Sequence, residues 1–503
     1  MEKTKAKTEW KIFVPSAIII LTAALMMIFA PVRSKAVIDS VFLFLTHQIG
    51  WVFLVVVLAL FIISLYIAFS KYGRIKLGDE DEPKQYSDFA WVAMMFSAGM
   101  SIAVILLGFM EPINLLSVNL FDSEPLSDKA YEYAHMCAQY FQGPIAWGVY
   151  GPASVLVAYM LYVKRGNVLR MSGACAPALR GQTNGFIGTV IDVIVVVGMI
   201  GGVSTSLGLG TPAVTNLIEY LTGIPQSTYM AVAVLLIWAC IFGTSVFLGL
   251  DKGIKRLSNL NLYLLFALML IVMLNMPLRH LVYLETNSIG LMIDHFFELS
   301  LGTDIFGDNS FSENWTVFYW AWWIAFMPMM ALFGARISKG RTIKQLILGE
   351  LIYGGCGSLL VFGLFGAYSL HLQHEGIVDL IAINASQGRE QALIAILQTL
   401  PFSEIVCWMT LILIFVFLAT TIDSTAYTLA SVCSERLTGD EQPSRWSRMS
   451  WAVILLLFAL GLVLIGGLQT IQTASILLAF PLLFVLYFVM RSLNKSFKEH
   501  HFK

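Results

Sequence analysis

Residues 315–342 read WTVFYWAWWIAFMPMMALFGARISKGRT. They hold four of the chain's twelve tryptophans, carry no charge before Arg336, and close on the basic run Arg336, Lys339 and Arg341. Wound as one helix at about 100° per residue, the stretch puts Trp315, Tyr319, Trp322, Trp323, Phe326 and Met330 within roughly a third of the circumference. Rings at this spacing serve packing or a bilayer interface. They also serve as a surface for an onium cation, whose charge is drawn to ring faces and which offers no N–H for hydrogen bonding. Interfacial aromatics belong at helix ends, whereas Trp322 and Trp323 lie mid-span, which favours a site.

The rest of the chain sets that helix in a membrane. Of 503 residues 58% are hydrophobic and only 13% charged, and several apolar runs exceed the roughly 20 residues that cross a bilayer. The expected fold class is an all-α integral membrane protein. Its twelve spans fall near 12–30, 50–70, 89–116, 136–163, 186–221, 228–250, 258–278, 315–336, 345–370, 403–434, 449–467 and 471–490. The first run is followed by Pro31, Val32 and Arg33 rather than by the small residues of a cleavage site, so it reads as a retained helix. The six cysteines have no CxxC spacing and predict neither a disulfide framework nor a metal site. The net charge of −1 hides a strong spatial asymmetry; the partners expected are membrane lipid and a small solute, not nucleic acid.

Charge placement tests the span count. With the N-terminus inside, 26 of the 31 Lys and Arg residues fall in internal segments, leaving only Arg33, Lys35, Lys129, Arg279 and Arg389 outside. That bias puts both termini in the cytoplasm. The external connections are acidic, with Asp122, Glu124, Asp128 and Glu132 in one and Glu285, Asp294, Glu298, Asp304 and Asp308 in another; they read as solvated loops or as attractors of a cationic solute. The second also contains SIGLMIDHFFELSLG, amphipathic and too polar to span, which is expected to lie along the surface.

The chain divides into an N-terminal tail with two peripheral helices (1–85), a first block of five helices (86–280), the external loop (281–314), a second block of five (315–490) and a C-terminal tail (491–503). Five is odd, so the blocks insert with opposite orientations. Inverted repeats place a solute site near the bilayer midplane, on interrupted helices with exposed backbone groups.

Several spans carry chemistry. In the third, Gly99 and Ser101 mark either a packing contact or a break, and Glu111-Pro112 lies near its outer end. The fourth contains AQYFQGPIAWGVYGP, where Trp147 and Tyr150 share a face and two Gly-Pro pairs imply kinks. Asp192 in the fifth is expensive to bury unless paired or hydrated, and Ser204, Thr205 and Ser206 follow it. The tenth offers Thr420, Thr421, Asp423, Ser424 and Thr425. Such oxygen-bearing side chains suit a hard cation such as sodium, or a structural hydrogen-bond hub. His371 and His374 have metal-compatible spacing without a third ligand and read as a surface loop. No span supplies a metal cluster or a nucleophile with its base, so enzymatic activity is not expected, nor is a cofactor beyond a possible coupling ion.

WTVFYWAWW followed by ARISKGRT resembles the signature of the betaine/carnitine/choline transporters. The likeness runs from the first helix to the twelfth, through GMSI and EP in the third helix, GPIAWGVY at 143–150, TSLGLGTP at 205–212 and GLDKGIKRLSNLN at 249–261. It implies the sodium-symporter-like fold with two extra N-terminal helices and a 5+5 inverted repeat, a homotrimer, a bacterial inner membrane, and transport of a small onium or amine zwitterion by alternating access. Within the family it is closest to the carnitine/gamma-butyrobetaine exchangers. Carried over residue by residue, Trp322, Trp323 and Phe326 match the central cation site, Trp147, Tyr150 and Trp323 an aromatic box, and Met330 a carboxylate-side methionine. Thr420 and Thr421, with Gly99 and Met100 opposite, match a sodium site, and Met100 also faces the substrate.

The departures bear on the solute. Gln142 stands where the family has a tryptophan and Asn114 where the exchangers have a cage tyrosine, so the substrate is expected to be less methylated or to carry a hydroxyl or carboxylate that these amides reach. Ser101 and Ala103 replace glycines in the third helix. Asn261 stands where the exchangers keep a fixed arginine in place of sodium, which favours sodium-coupled symport. Sodium-independent exchange is the alternative, and a choline or less-methylated amine carrier a further one.

Overall fold

The computed structural model describes residues 7–98, 102–166, 168, 170–248, 251–303, 311–435, 442–466 and 468–500. Among the described residues all regular structure is helical apart from two isolated β-bridges. Helix α1 (Trp10–Phe29) stops at a proline, which takes the first position of α2 (Pro31–Phe44). A π turn at Leu45–Ile49 carries α2 into α3 (Gly50–Phe69), giving one 39-residue apolar helix. The second span thus begins at residue 31 rather than 50. Lys35 and Asp39, paired at 2.9 Å one turn apart, lower the hydropathy of this half without ending the helix.

The third span comprises α4 (Asp88–Ala98) and α5 (Ile102–Leu115); Gly99, Met100 and Ser101, and any break at them, lie outside the described residues. The fourth is in pieces, α6 (Asp128–Tyr140), α7 (Pro144–Trp147) and α8 (Gly151–Ala158), with a π turn at Tyr159–Val163. Both Gly-Pro pairs coincide with helix starts, as the missing proline donors require. A single turn, α9 (Met171–Ala174), precedes α10 (Phe186–Thr222), which runs 37 residues through Pro212 to a left-handed Gly223.

Next come α11 (Thr228–Leu248) and α12 (Asp251–Leu274), then a 107° bend at Pro277 into α13 (Leu278–Asp294) and α14 (Phe296–Leu301). The surface helix therefore starts at Leu278, ten residues before the amphipathic stretch read from the sequence. Its polar face is docked on α6: Gln139 Nε2 donates to Glu285 at 3.0 Å and His135 Nδ1 lies 2.7 Å from Ser288 Oγ. Burial, against that hydrogen bond, pushes the Glu285 carboxyl up to about 7.

The stretch that opened the reading is α15 (Val317–Ile337), preceded by a π turn at Ser312–Thr316. A capping box of Thr342 and Gln345 starts α16 (Ile343–Leu348), which passes through a π turn at Gly349–Gly354 into α17 (Gly355–His374). Two short helices absent from the twelve-span reading follow, α18 (Leu380–Gln387) and α19 (Arg389–Gln398). The chain ends with α20 (Ser403–Val432), α21 (Arg445–Ile465), α22 (Leu468–Ala479) and α23 (Leu482–Lys498). Among the described residues nine helices, or ten counting α12 with α13, are long and apolar enough to cross a membrane. Helices α5 and α11 contribute two shorter apolar stretches, Val104–Leu115 and Thr228–Thr244.

Contacts between segments that charge placement assigned to one side gather together: Arg170 with Glu9, Arg165 with Asp79, Lys339 with Glu82, Lys164 with Glu499, and a bridge between Lys76 and Thr342. Contacts between segments of the other side, such as His47 with Glu313 and His374 with Asp128, form a second set. The basic tail of the opening stretch is part of this framework. Arg341, only 3% exposed, lies 3.9 Å over the Trp91 ring and 2.7 Å from Asp88. Hydrogen bonds from Lys84 and Arg341 hold the Asp88 carboxyl below its usual range.

Candidate functional site

Helix α15 is tied by its tryptophans to α10 and to the end of α6. Trp322 Nε1 donates to the Gly202 carbonyl of α10 at 3.2 Å, and the two helices touch there: a Cβ on Gly202 would lie 3.1 Å from both Ala325 Cβ and the Phe326 ring. Trp323 Nε1 donates at 2.9 Å to the carbonyl of Phe141, the residue that caps α6 where the fourth span breaks. The break foreseen at Gly143-Pro144 thus leaves an acceptor for the wall. Towards its start the wall is closed packing. Tyr319 stacks on Phe141 with centroids 4.6 Å apart and donates to Glu111 at 2.6 Å, while Phe318 stacks on Trp322 at 5.5 Å.

Towards its end the wall faces a cavity of about 780 Å³. Trp322, Trp323, Phe326 and Met330 line it from α15, Tyr150 and Gln142 from the broken fourth span, and Thr420, Thr421, Asp423 and Ser424 from α20. The cavity continues past Tyr427 and Ser431 to the exposed Arg336, so it runs out towards the end of the bundle that carries the N-terminal segment.

Two of the predicted residues that are described are not part of this lining. Trp147 is fully buried behind it, donating to Ser358 at 3.3 Å. With Tyr150 and Trp323 it forms a triangle of rings whose centroids are 5.5 to 5.7 Å apart. A methyl group touching two opposed ring faces holds them about 7 Å apart, so no solute stands between these three rings in the form described, while the rings of Trp322 and Phe326 line the cavity outside the triangle. Asn114 instead accepts a 2.9 Å hydrogen bond from Asn384 of α18. The helix pair unforeseen from sequence occupies it.

The polar groups around the cavity divide by whether they are already used. Gln142 Nε2 and both side-chain polar atoms of Asn261, which is 1% exposed, are buried without a protein partner and line the cavity. Thr420 and Thr421 donate back to Phe417 at 2.9 and 2.8 Å, which leaves their oxygen lone pairs towards other ligands. Asp423 lies 3.3 Å from Arg448 of α21, and both are largely buried. Asp192 is satisfied, accepting from Ser172 N at 3.0 Å and Ser172 Oγ at 2.6 Å. The ring of His371 stands 5.1 Å from that of His280, and no cluster of three or more His, Cys, Asp or Glu forms among the described residues.

Sequence reasoning missed Asn261 as a site residue and Arg448 as a partner of Asp423. Asn261 carried a signal, since an amide in the GLDKGIKRLSNLN segment has to find partners once buried. Arg448 carried none, because its pairing spans 25 residues and two helices.

An all-α membrane bundle with a mid-span aromatic surface facing a deep cavity defines a carrier of small organic cations rather than a pore. The chain matches the BCCT family, described as betaine/carnitine/choline family transporter, over residues 11–502, and it belongs to that family. It is accordingly a secondary transporter of betaine/carnitine/choline-type substrates.

Proposed function

We propose that the chain carries a small onium zwitterion by sodium-coupled symport, through alternating access of the two five-helix repeats, across a bacterial inner membrane with both termini in the cytoplasm and as a homotrimer. The cavity described above is then its inward-open form. The observation that carries the reading is the pairing, in one cavity, of the Trp322 and Phe326 rings with the unpartnered Gln142 Nε2: an onium head for the rings, an acceptor such as a carboxylate for the amide. Met330 packs against the solute's apolar stem. The solute draws Trp323, Tyr150 and Trp147 apart on its way through.

Uptake into proteoliposomes of betaine, carnitine, butyrobetaine, choline, dimethylglycine and proline, with and without sodium, tests this. Gln142→Leu is expected to weaken binding of a carboxylate-bearing solute about tenfold, as loss of a charge-assisted hydrogen bond does, and to leave choline unchanged. Equal losses for both solutes would remove Gln142 from the site.

Sodium is assigned to the Thr420 and Thr421 hydroxyls; Gly99 and Met100, the further ligands that the resemblance implies, lie outside the described residues. Thr421→Ala is expected to raise the sodium required for half-maximal uptake about tenfold, a loss of one oxygen ligand worth about 1.4 kcal/mol. Uptake indifferent to sodium in the parent protein would instead support solute exchange. One observation favours that second reading: the Arg448 guanidinium of α21 already stands beside Asp423 of α20, the helix of Thr420 and Thr421, a fixed positive charge where a mobile one would otherwise be needed.

A further inference from the structure

A carboxyl that the solute cavity does not use lies behind the aromatic box. Glu350 sits in the π turn between α16 and α17 and is 1% exposed. Ser154 Oγ donates to its Oε1 at 2.5 Å, and its Oε2 is buried with no partner. Helix α15 closes over it at a residue without a side chain: a Cβ on Gly334 would stand 2.6 Å from Oε1.

No lysine, arginine or histidine pairs with Glu350 among the described residues. On the elements packed against it, Arg336 of α15, Lys344 of α16 and Asp88 of α4 are all exposed, as are Tyr353 of the turn itself and Cys356 of α17. The buried Arg341, between α15 and α16, is held by Asp88 and the Trp91 ring, and among the described residues the buried Tyr150 phenol just before α8 is close enough to feel the carboxyl's charge. An ionised carboxylate in such a place is uncompensated at a cost of several kcal/mol, whereas a protonated one is an ordinary buried acid.

The position ties this carboxyl to the moving parts. Ser154 is one turn beyond Tyr150 on the fourth span, and Gly354, one turn beyond Glu350, lies against the Trp147 ring, where an added Cβ would stand 2.4 Å from it. Gly334 belongs to the helix that carries Trp322 and Trp323. A displacement of α15 relative to α17 would lift Gly334 from the Glu350 carboxyl and shift Trp323 relative to Trp147.

We propose that Glu350 is a proton-binding site of the transport cycle, occupied when α15 is closed on Gly334 and emptied when α15 parts from α17. The inference rests on alternating access but not on sodium, and the solute need not be known to test it. The C=O stretch of a protonated carboxyl, followed by infrared difference spectroscopy on the purified protein titrated over about pH 5 to 9, should show one buried acid that is absent in Glu350→Gln.

Counterflow of labelled betaine or carnitine, with equal pH on both sides of the vesicle, should slow as pH rises in the parent protein. A single titrating carboxyl changes occupancy by up to about tenfold per pH unit. Glu350→Gln, an isostere of the protonated acid, should flatten that limb. Should it fail to fold, Ser154→Ala, which removes the hydrogen bond favouring the ionised form, should shift the limb to higher pH. A protonated-acid band unchanged by Glu350→Gln, or pH profiles identical in parent and variants, would overturn the proposal. Absent counterflow with the band intact would count against the solute assignment and leave the proton site standing.

Discussion

Replacing Trp323 with leucine is expected to weaken binding of a quaternary ammonium solute by up to about thirtyfold, the span of a desolvated cation–π contact of about 2 kcal/mol. Trp323, like Tyr150, belongs both to the cavity lining and to the closed triangle with Trp147. Its loss removes a ring from the resting site and from the box the solute parts. Phenylalanine at the same position keeps a ring face and forfeits the 2.9 Å hydrogen bond to the Phe141 carbonyl, so Trp323→Phe should lose stability, by about 1 kcal/mol, more than affinity. Titrating solute into detergent-solubilised protein, with melting temperatures recorded alongside, separates the two effects. If leucine and tryptophan bind the cation equally, the wall is packing and the site lies elsewhere.

A larger stability effect is expected at the pair formed by Asp423 and Arg448. The two side chains are 13% and 6% exposed and lie 3.3 Å apart, with the guanidinium also over the Tyr427 ring at 5.4 Å. Arg448→Met removes the guanidinium from beside the carboxylate, and breaking a largely buried pair from one side costs about 3–5 kcal/mol. Adding Asp423→Asn should recover most of that loss, because the group left behind is then neutral. Thermal unfolding of the single and double variants reads the difference. If the single substitution is neutral, or the double as unstable as the single, the two charges are not holding α20 to α21. Sodium added to Arg448→Met is informative as well: a cation able to replace the guanidinium would restore stability only where sodium is present.

Much of this molecule is legible in its sequence because the bilayer imposes simple rules. Apolar runs long enough to cross give α1, α10, α15 and α20 within a few residues of their ends, and the Gly-Pro pairs mark the breaks in the fourth span. The failures have local causes. Helix α2 was hidden by charges that neutralise one another along its face, α13 by a start that is more apolar than its amphipathic middle, and α18 and α19 by a polarity indistinguishable from that of a loop.

At the site the division is sharper. The spacing of Trp322, Trp323, Phe326 and Met330 is intrahelical, so a 3.6-residue period suffices to bring them to one side, and the chain alone determined that a membrane helix carries an aromatic face with a basic end. Which of those rings meets a cavity and which meets another ring depends on what packs opposite. Only the tertiary structure decided that Trp147 is shut behind Tyr150, that Asn114 is taken by Asn384, that Asp423 is held by Arg448, and that Glu350 lies buried under Gly334. Each of these is a contact between helices distant in sequence, where the energetic consequence of a charge or a ring is set by the partner and the dielectric that the fold brings to it, not by the residue itself.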